Sequence, residues 1–152
     1  MGKVTASVTV NHPIDRVFDV ATRVPDLPRW MPEVVAAELL DPALATGARV
    51  RLTLSAATAN AVITGTVEEL AAPFVLRIAG AGGPLTVGVV TILEAIGSTA
   101  TRAQLEVEIG VPPFLGFIGQ EAERRINAEL PAALDRLNAL LDAERDRPTL
   151  GA

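Results

Sequence analysis

Few residues are suited to acid–base chemistry, and the two best candidates lie near the C-terminus. Glu123 and Glu129 flank the apolar stripe of a long helical pattern. Burial of a carboxyl group there would favour its protonated form, so both are candidate general acids or bases. Long side chains at the edge of such a stripe usually extend into water, which is the competing interpretation. Asn127, on the opposite edge, is a candidate hydrogen-bonding partner for a ligand.

The sequence offers little for nucleophilic or metal chemistry. It has one histidine, His12, and no cysteine, so we expect no zinc-type ligand cluster, no metal and no other cofactor. His12 precedes Pro13 at a predicted helix start, which indicates a capping or exposed side chain. No nucleophile-elbow sequence accompanies it. A protein without enzymatic activity is therefore favoured, and an enzyme remains the alternative.

Composition limits the class of protein. With 152 residues, of which 49% are hydrophobic and 20% charged, the chain predicts one domain over residues 1–145 and a disordered tail over 146–152. A net charge of −5 without a basic stripe argues against nucleic-acid binding. No apolar run approaches 18 residues, which argues against integral membrane association. Strand-like residues begin at Lys3 and leave no room for a signal peptide, so we expect a cytoplasmic protein.

Hydrophobic periodicity predicts the elements that position these residues. A strand over Lys3–Val10 leads into short helical segments that start at Pro13 and are interrupted by further prolines. A long helix runs from beyond Pro112-Pro113 to about Glu144, with a kink expected at Pro131. Tight connections favour antiparallel pairing of the six strands between them. Those strands are Glu33–Leu40, Arg49–Ala56, Asn60–Leu70, Phe74–Ala79, Leu85–Ala95 and Thr101–Ile109.

Alternation along the strands separates a dry face from a wet face. Phe74, Leu76 and Ile78 fall opposite Arg77, and the same pattern places every strand arginine on the wet face. The Leu85–Ala95 strand is almost entirely apolar, so its inward face is not determined by alternation. Gly80–Pro84 is interpreted as a flexible hairpin loop, because a strand and not a helix follows it.

Two local patterns carry a family resemblance. One is the opening Val8-Thr9-Val10-Asn11-His12-Pro13-Ile14-Asp15-Arg16-Val17-Phe18, and the other is Leu27-Pro28-Arg29-Trp30-Met31-Pro32. With the closing amphipathic helix, they resemble the helix-grip superfamily of START-like and polyketide cyclase/dehydrase-like (SRPBCC) proteins. The resemblance implies an α+β fold. A curled antiparallel sheet of about seven strands would wrap around the long C-terminal helix, with two short helices after the first strand and a cavity inside.

The aliphatic inner face and the resemblance together predict binding or transport of a hydrophobic small molecule, such as a lipid, isoprenoid or polyketide-like compound. The residues expected to bind it are Phe18, Trp30, Leu52, Leu54, Ile63, Leu76, Ile78, Leu105, Val107, Phe117, Ile118, Ala122 and Ile126. If the odd-numbered residues of Leu85–Leu93 face inward, Thr91 joins them, and Thr101 is a further candidate.

Other interpretations remain open. Trp30 is either a hydrophobic anchor of the core or a wall of the pocket. The apolar helix start Phe114–Gly119 packs in the core, gates the cavity, or forms a self-association or membrane-touching patch. Self-association would make the protein a homodimer. The alternative functions are a polyketide cyclase or dehydratase and a protein-interaction module.

Overall fold

The computed structural model describes residues 2–31, 33–55 and 60–146, and it confirms the predicted helix-grip architecture. In chain order the elements are β1 (Gly2–Val10), α1 (Ile14–Ala21), a 3-10 helix (Val24–Arg29), β2 (Val34–Leu39), β3 (Arg49–Leu54), β4 (Ala61–Ala71), β5 (Val75–Gly82), β6 (Leu85–Ala95), β7 (Thr101–Gly110), a short 3-10 turn (Pro113–Leu115) and α2 (Gly116–Asp146). The tail predicted from residue 146 lies outside the described residues, except for Asp146 itself, which belongs to α2.

The seven strands form one antiparallel sheet in the order β1-β7-β6-β5-β4-β3-β2. Strands β2 to β7 pair with their neighbours in sequence, whereas β1 pairs with β7, from Gly2 opposite Ile109 to Val10 opposite Thr101. The first and second strands are therefore the two edges of the sheet. Helix α1 and the 3-10 helix connect these edges, which closes one end of the space above the concave face.

Close backbone contact marks the β4–β5 pair. Gly65 lies opposite Gly80, and a methyl group placed on Gly80 would lie 2.5 Å from the carbonyl oxygen of Thr64. Pairing in β4 also shifts register between Val67 and Glu69, as in a β-bulge. Paired glycines and bulges are the usual means by which a strand pair bends sharply.

The glycine-rich segment is only partly a loop. The prediction of a hairpin loop over Gly80–Pro84 was wrong for Gly80, Ala81 and Gly82, which belong to β5, and Gly82 pairs with Leu85. The turn itself consists of Gly83, with a φ of 59°, and Pro84. The glycines serve close strand packing here, because a side chain at Gly80 or Gly82 would collide with β4.

The arginines of the sheet lie on its outer face, as alternation predicted. Arg49 donates to Asp41 Oδ1 at 2.9 Å, and this hydrogen bond holds the pKa of the Asp41 carboxyl below its usual range. Arg51 pairs with Glu38 at 2.7 Å, and Arg77 lies 3.5 Å from Glu69. All three cations are thereby neutralised by acids on the outer surface.

Helix α2 is buried unevenly along its length. Its C-terminal half packs Leu130, Ala133, Leu134, Leu137 and Leu141 into the core, each no more than 5% exposed. Its N-terminal half is much less covered. The helix is continuous through the proline at position 131, and the kink expected there stays a prediction.

Two side chains differ from the sequence-based expectation. Phe74 is 52% exposed and precedes β5, so its assignment to the dry face was wrong; its amide donates to Ala71 in the turn after β4. His12 is 1% exposed, and Nε2 lies 2.7 Å from Asp142 Oδ1 of α2. The capping or exposed role was therefore wrong, because this contact links the end of β1 to the C-terminal part of the long helix.

We expect Gly80→Ala to lower the free energy of unfolding by about 1–3 kcal/mol, because the new methyl group collides with β4 backbone. Gly88→Ala is the matched control on the adjacent strand, since its methyl group would only reach Glu108 Cβ at 3.9 Å. Urea denaturation of both variants measures the difference. Equal stability of the two variants would contradict the close packing of β4 against β5.

Candidate ligand cavity

A cavity lies between the concave face of the sheet and the middle turns of α2. Its atom-free space, including the mouth open to solvent, is about 810 Å³. A space of this size falls in the usual range for small-molecule pockets, roughly 300–1,000 Å³.

The walls come from most elements of the fold. Helix α1 and the 3-10 region close one end, strands β2, β3, β5, β6 and β7 form the floor, and α2 forms the roof. The lining residues are Ala21, Leu27, Met31, Glu33, Val34, Leu52, Leu54, Leu76, Ile78, Val87, Val89, Thr91, Leu105, Val107, Ile109, Ile126, Glu129, Leu130 and Ala133.

Aliphatic groups make up almost the whole wall. None of the lining residues is aromatic, and none is a lysine, arginine or histidine. The odd-numbered residues Val87, Val89 and Thr91 face inward from β6, which settles the strand whose faces the sequence left undetermined. Apolar walls of this kind remain receptive to apolar guests, because water gains few hydrogen bonds inside them.

Two carboxylates are the only ionisable groups among the lining residues. Glu33 stands just before β2, and one oxygen lies 3.8 Å from Arg125 on α2. Glu129 is half-buried one turn further along the same helix, and no hydrogen bond or ion pair engages it within the described ranges. Because the wall itself is almost wholly apolar, these two carboxylates lie toward the mouth, where Arg125 compensates only that of Glu33.

Seven of the residues predicted to bind a ligand come together around this cavity. They occupy the floor and the roof. The inward face of the strands and the apolar stripe of α2 therefore border the same cavity. These residues are Leu52, Leu54, Leu76, Ile78, Leu105, Val107 and Ile126.

The other six predicted residues lie elsewhere. Phe18, Trp30 and Ile63 are buried in the core without lining the cavity, and Trp30 has no exposed surface, as an anchor would. Phe117 and Ile118 point outward from the start of α2, 70% and 45% exposed. The sixth, a half-buried alanine at position 122, packs against the core from the same part of the helix.

The three acid and amide candidates on α2 lie on two different sides of the helix. Glu129 lines the cavity, whereas Glu123 and Asn127 lie in a shallow depression on the surface with Lys3 and Arg124. The separation follows from the helical period, because residues 123 and 127 share a side of α2 that faces β1 and not the concave floor. Only Glu129 is therefore placed to meet a guest in the cavity.

Sequence reasoning missed several lining residues for different reasons. Ile109, Leu130 and Ala133 carried the right periodicity but were not selected. Val87 and Val89 lay in a strand without alternation. Leu27 and Met31 lie in the irregular segment between α1 and β2, which has no periodic signal, and Glu33 and Val34 lie at the start of a predicted strand that does not alternate clearly.

Thr101 does not reach the cavity, although Thr91 does. Thr101 is fully buried, and its hydroxyl donates to the backbone oxygen of His12 at 2.8 Å. This hydrogen bond ties the start of β7 to the residue that follows β1. Thr101 therefore belongs to the structural closure of the sheet.

Neither a metal cluster nor a membrane-spanning helix occurs in the part of the chain that the structure describes. No three histidine or acidic side chains there are grouped to hold a metal ion. No helix there is both long and apolar enough to cross a bilayer.

A protein-family model and several solved structures match this chain. The model of a family described as "Polyketide cyclase / dehydrase and lipid transport" matches residues 1–142. No curated protein sequence matches the chain.

Several solved structures share the fold at low sequence identity. The Zhui aromatase/cyclase from Streptomyces superposes with a TM-score of 0.80 at 16% identity, covering 99% of this chain and 98% of that one. A START superfamily protein from Mycobacterium smegmatis gives 0.78 at 15% identity, over 95% and 99% of the two chains. A Thermus thermophilus protein gives 0.76 at 18% identity, over 93% and 98%. Identities this low show a shared fold.

We expect Thr101→Val to lower the free energy of unfolding by about 1–3 kcal/mol, because it leaves the His12 carbonyl buried without its donor. Thr91→Val has the same shape change on the cavity wall, where no hydrogen bond is lost. Thermal unfolding of both variants compares them. If Thr91→Val lost as much stability as Thr101→Val, the hydrogen bond from Thr101 to His12 would not be the stabilising interaction.

Proposed function

The chain belongs to the polyketide cyclase / dehydrase and lipid transport family, and from that membership we propose that it binds and carries an aliphatic small molecule in the cavity between the sheet and α2. The single observation behind this proposal is the chemistry of the wall. Aliphatic side chains from five strands and two helices surround one space, without an aromatic ring or a cation among the lining residues.

Burial of the guest supplies the affinity. Removing about 300–400 Å² of apolar ligand surface from water contributes roughly 7–10 kcal/mol. Loss of translational and rotational freedom opposes this by at least about 4 kcal/mol, which leaves at most about 3–6 kcal/mol, or a dissociation constant between several millimolar and some tens of micromolar. Reversible binding of that strength fits a carrier that loads and releases its guest.

Wall chemistry favours a chain-like or alicyclic guest over a planar aromatic one. Aromatic guests gain about 0.5–1.5 kcal/mol from stacking on each aromatic side chain. The lining residues here offer no such ring.

An enzymatic role is the second candidate, and Glu129 is the observation that favours it. A half-buried glutamate that lines an apolar cavity, with its carboxylate engaged by no partner within the described ranges, is suited to moving a proton at the mouth. Cyclisation or dehydration of a β-keto substrate requires such a group. In this candidate Glu129 is the general base, and Arg125 lies near enough to Glu33 to orient the other carboxylate.

Glu129→Gln separates the two candidates. If the protein is a cyclase or dehydratase, the variant should lose at least about 100-fold in turnover of a β-keto substrate while still binding it, because removing a general base costs about 10²–10⁴-fold. Glu121→Gln, an exposed acid paired with Arg124 on the same helix, is the control. Turnover that survives in Glu129→Gln would exclude this assignment.

Val107→Phe tests the carrier directly. The phenyl ring would project from β7 into the cavity and occupy part of the space for a guest. We therefore expect at least tenfold weaker binding of the neutral fluorophore N-phenyl-1-naphthylamine. Val35→Phe, at a position that is 51% exposed outside the cavity, should bind the fluorophore normally. Circular dichroism verifies that both variants fold. Unchanged binding by a folded Val107→Phe variant would place the guest elsewhere and refute the proposal.

A further inference from the structure

We infer that the cavity discriminates between guests by the charge of their polar end, and accepts an aliphatic amine or alcohol in preference to a carboxylate or phosphate. This inference rests on the proposed function and specifies its ligand. It follows from where the charges of the described residues lie relative to the cavity.

Glutamates are the only charged residues among those that line the cavity. Glu33 and Glu129 reach it from opposite sides, one just before β2 and the other from α2. Because the inner wall is apolar and both side chains are partly exposed, we place their carboxylates at the mouth. Arg125, 3.8 Å from Glu33, is 39% exposed and belongs to the rim outside the lining. Counting all three groups, the mouth carries a net charge of about −1.

Positive charges elsewhere in the described chain are directed away from this space. Lys3 pairs with Glu106 at 3.2 Å on the β1–β7 side of the sheet. Arg23 is held between Asp19 and Glu144, at 2.6 and 3.0 Å. Arg49, Arg51 and Arg77 lie on the outer face of the sheet with their own acids. An anionic head group would meet Arg125 at the rim, where Glu33 already pairs with it.

Repulsion between two carboxylates at partial burial is strong enough to measure. Two like charges at partial burial repel, and after screening at the mouth we expect a tenfold difference in affinity, which corresponds to about 1.4 kcal/mol. An amine or hydroxyl instead donates a hydrogen bond to Glu129. Hydrogen bonds to a charged acceptor are about twice as strong as neutral ones.

The competing interpretation is that Glu33 and Glu129 present only their methylene stems to the cavity and keep their carboxylates in water. In that case the head group would feel little of their charge. Guests with equal chains would then bind alike, so the two interpretations give different results in one experiment.

The experiment measures displacement of N-phenyl-1-naphthylamine by decylamine, 1-decanol and decanoate at neutral pH, below the concentrations at which they aggregate. With identical chains, only the head group differs. We expect decylamine and 1-decanol to bind about tenfold more tightly than decanoate. Glu129→Gln should reduce the gap between decylamine and decanoate at least threefold, whereas Glu121→Gln, on the outer side of α2, should leave it unchanged.

Decanoate binding as tightly as decylamine, or a gap unaffected by Glu129→Gln, would overturn the inference while leaving the carrier proposal in place. A Glu129→Gln variant that fails to fold is replaced by Glu33→Gln, for which the same reduction is expected, since Glu33 is the other wall carboxylate. If neither the fluorophore nor any decyl compound binds, the proposed function fails and the inference fails with it.

Discussion

The concave face of the sheet and the inner side of α2 are both apolar, yet their side chains do not fill the space between them. The sheet curls, with β4 and β5 in close contact at paired glycines, and one helix alone covers its hollow. Leucine, isoleucine and valine reach only a short distance from each wall. Since the interior contains few aromatic side chains to bridge that distance, a cavity remains, and the other properties of the molecule follow from it.

Different parts of the long helix α2 form the core and the cavity roof, because its burial changes along its length. From Leu130 onward its apolar residues are almost completely covered, and the contact between His12 and Asp142 fixes this half to the end of β1. The turns around Ile126 and Glu129 form the roof. The first turns, which include Phe117, are exposed. Stability and the shape of the cavity therefore depend on different parts of one element, and substitutions in the roof need not unfold the protein.

Period-two alternation and helical spacing predicted the sheet, the long helix and the outward arginines, because burial of one face imposes those periods directly. The same signals identified seven lining residues. They failed where no period exists, as at Met31 in the irregular segment before β2, and where every residue was apolar, as at Val87 and Val89. They also failed for His12, whose partner Asp142 lies 130 residues away. Contacts between distant residues depend on three-dimensional closure, which local patterns do not encode.

An aliphatic guest that enters the cavity should lose its contact with water. Isothermal titration calorimetry of 1-decanol into the protein at several temperatures detects this burial, because removal of apolar surface from water gives a negative heat-capacity change. We expect saturable binding at one site per chain, with an enthalpy that becomes more negative as temperature rises. Heats that do not saturate, or an enthalpy of binding independent of temperature, would refute binding in the cavity.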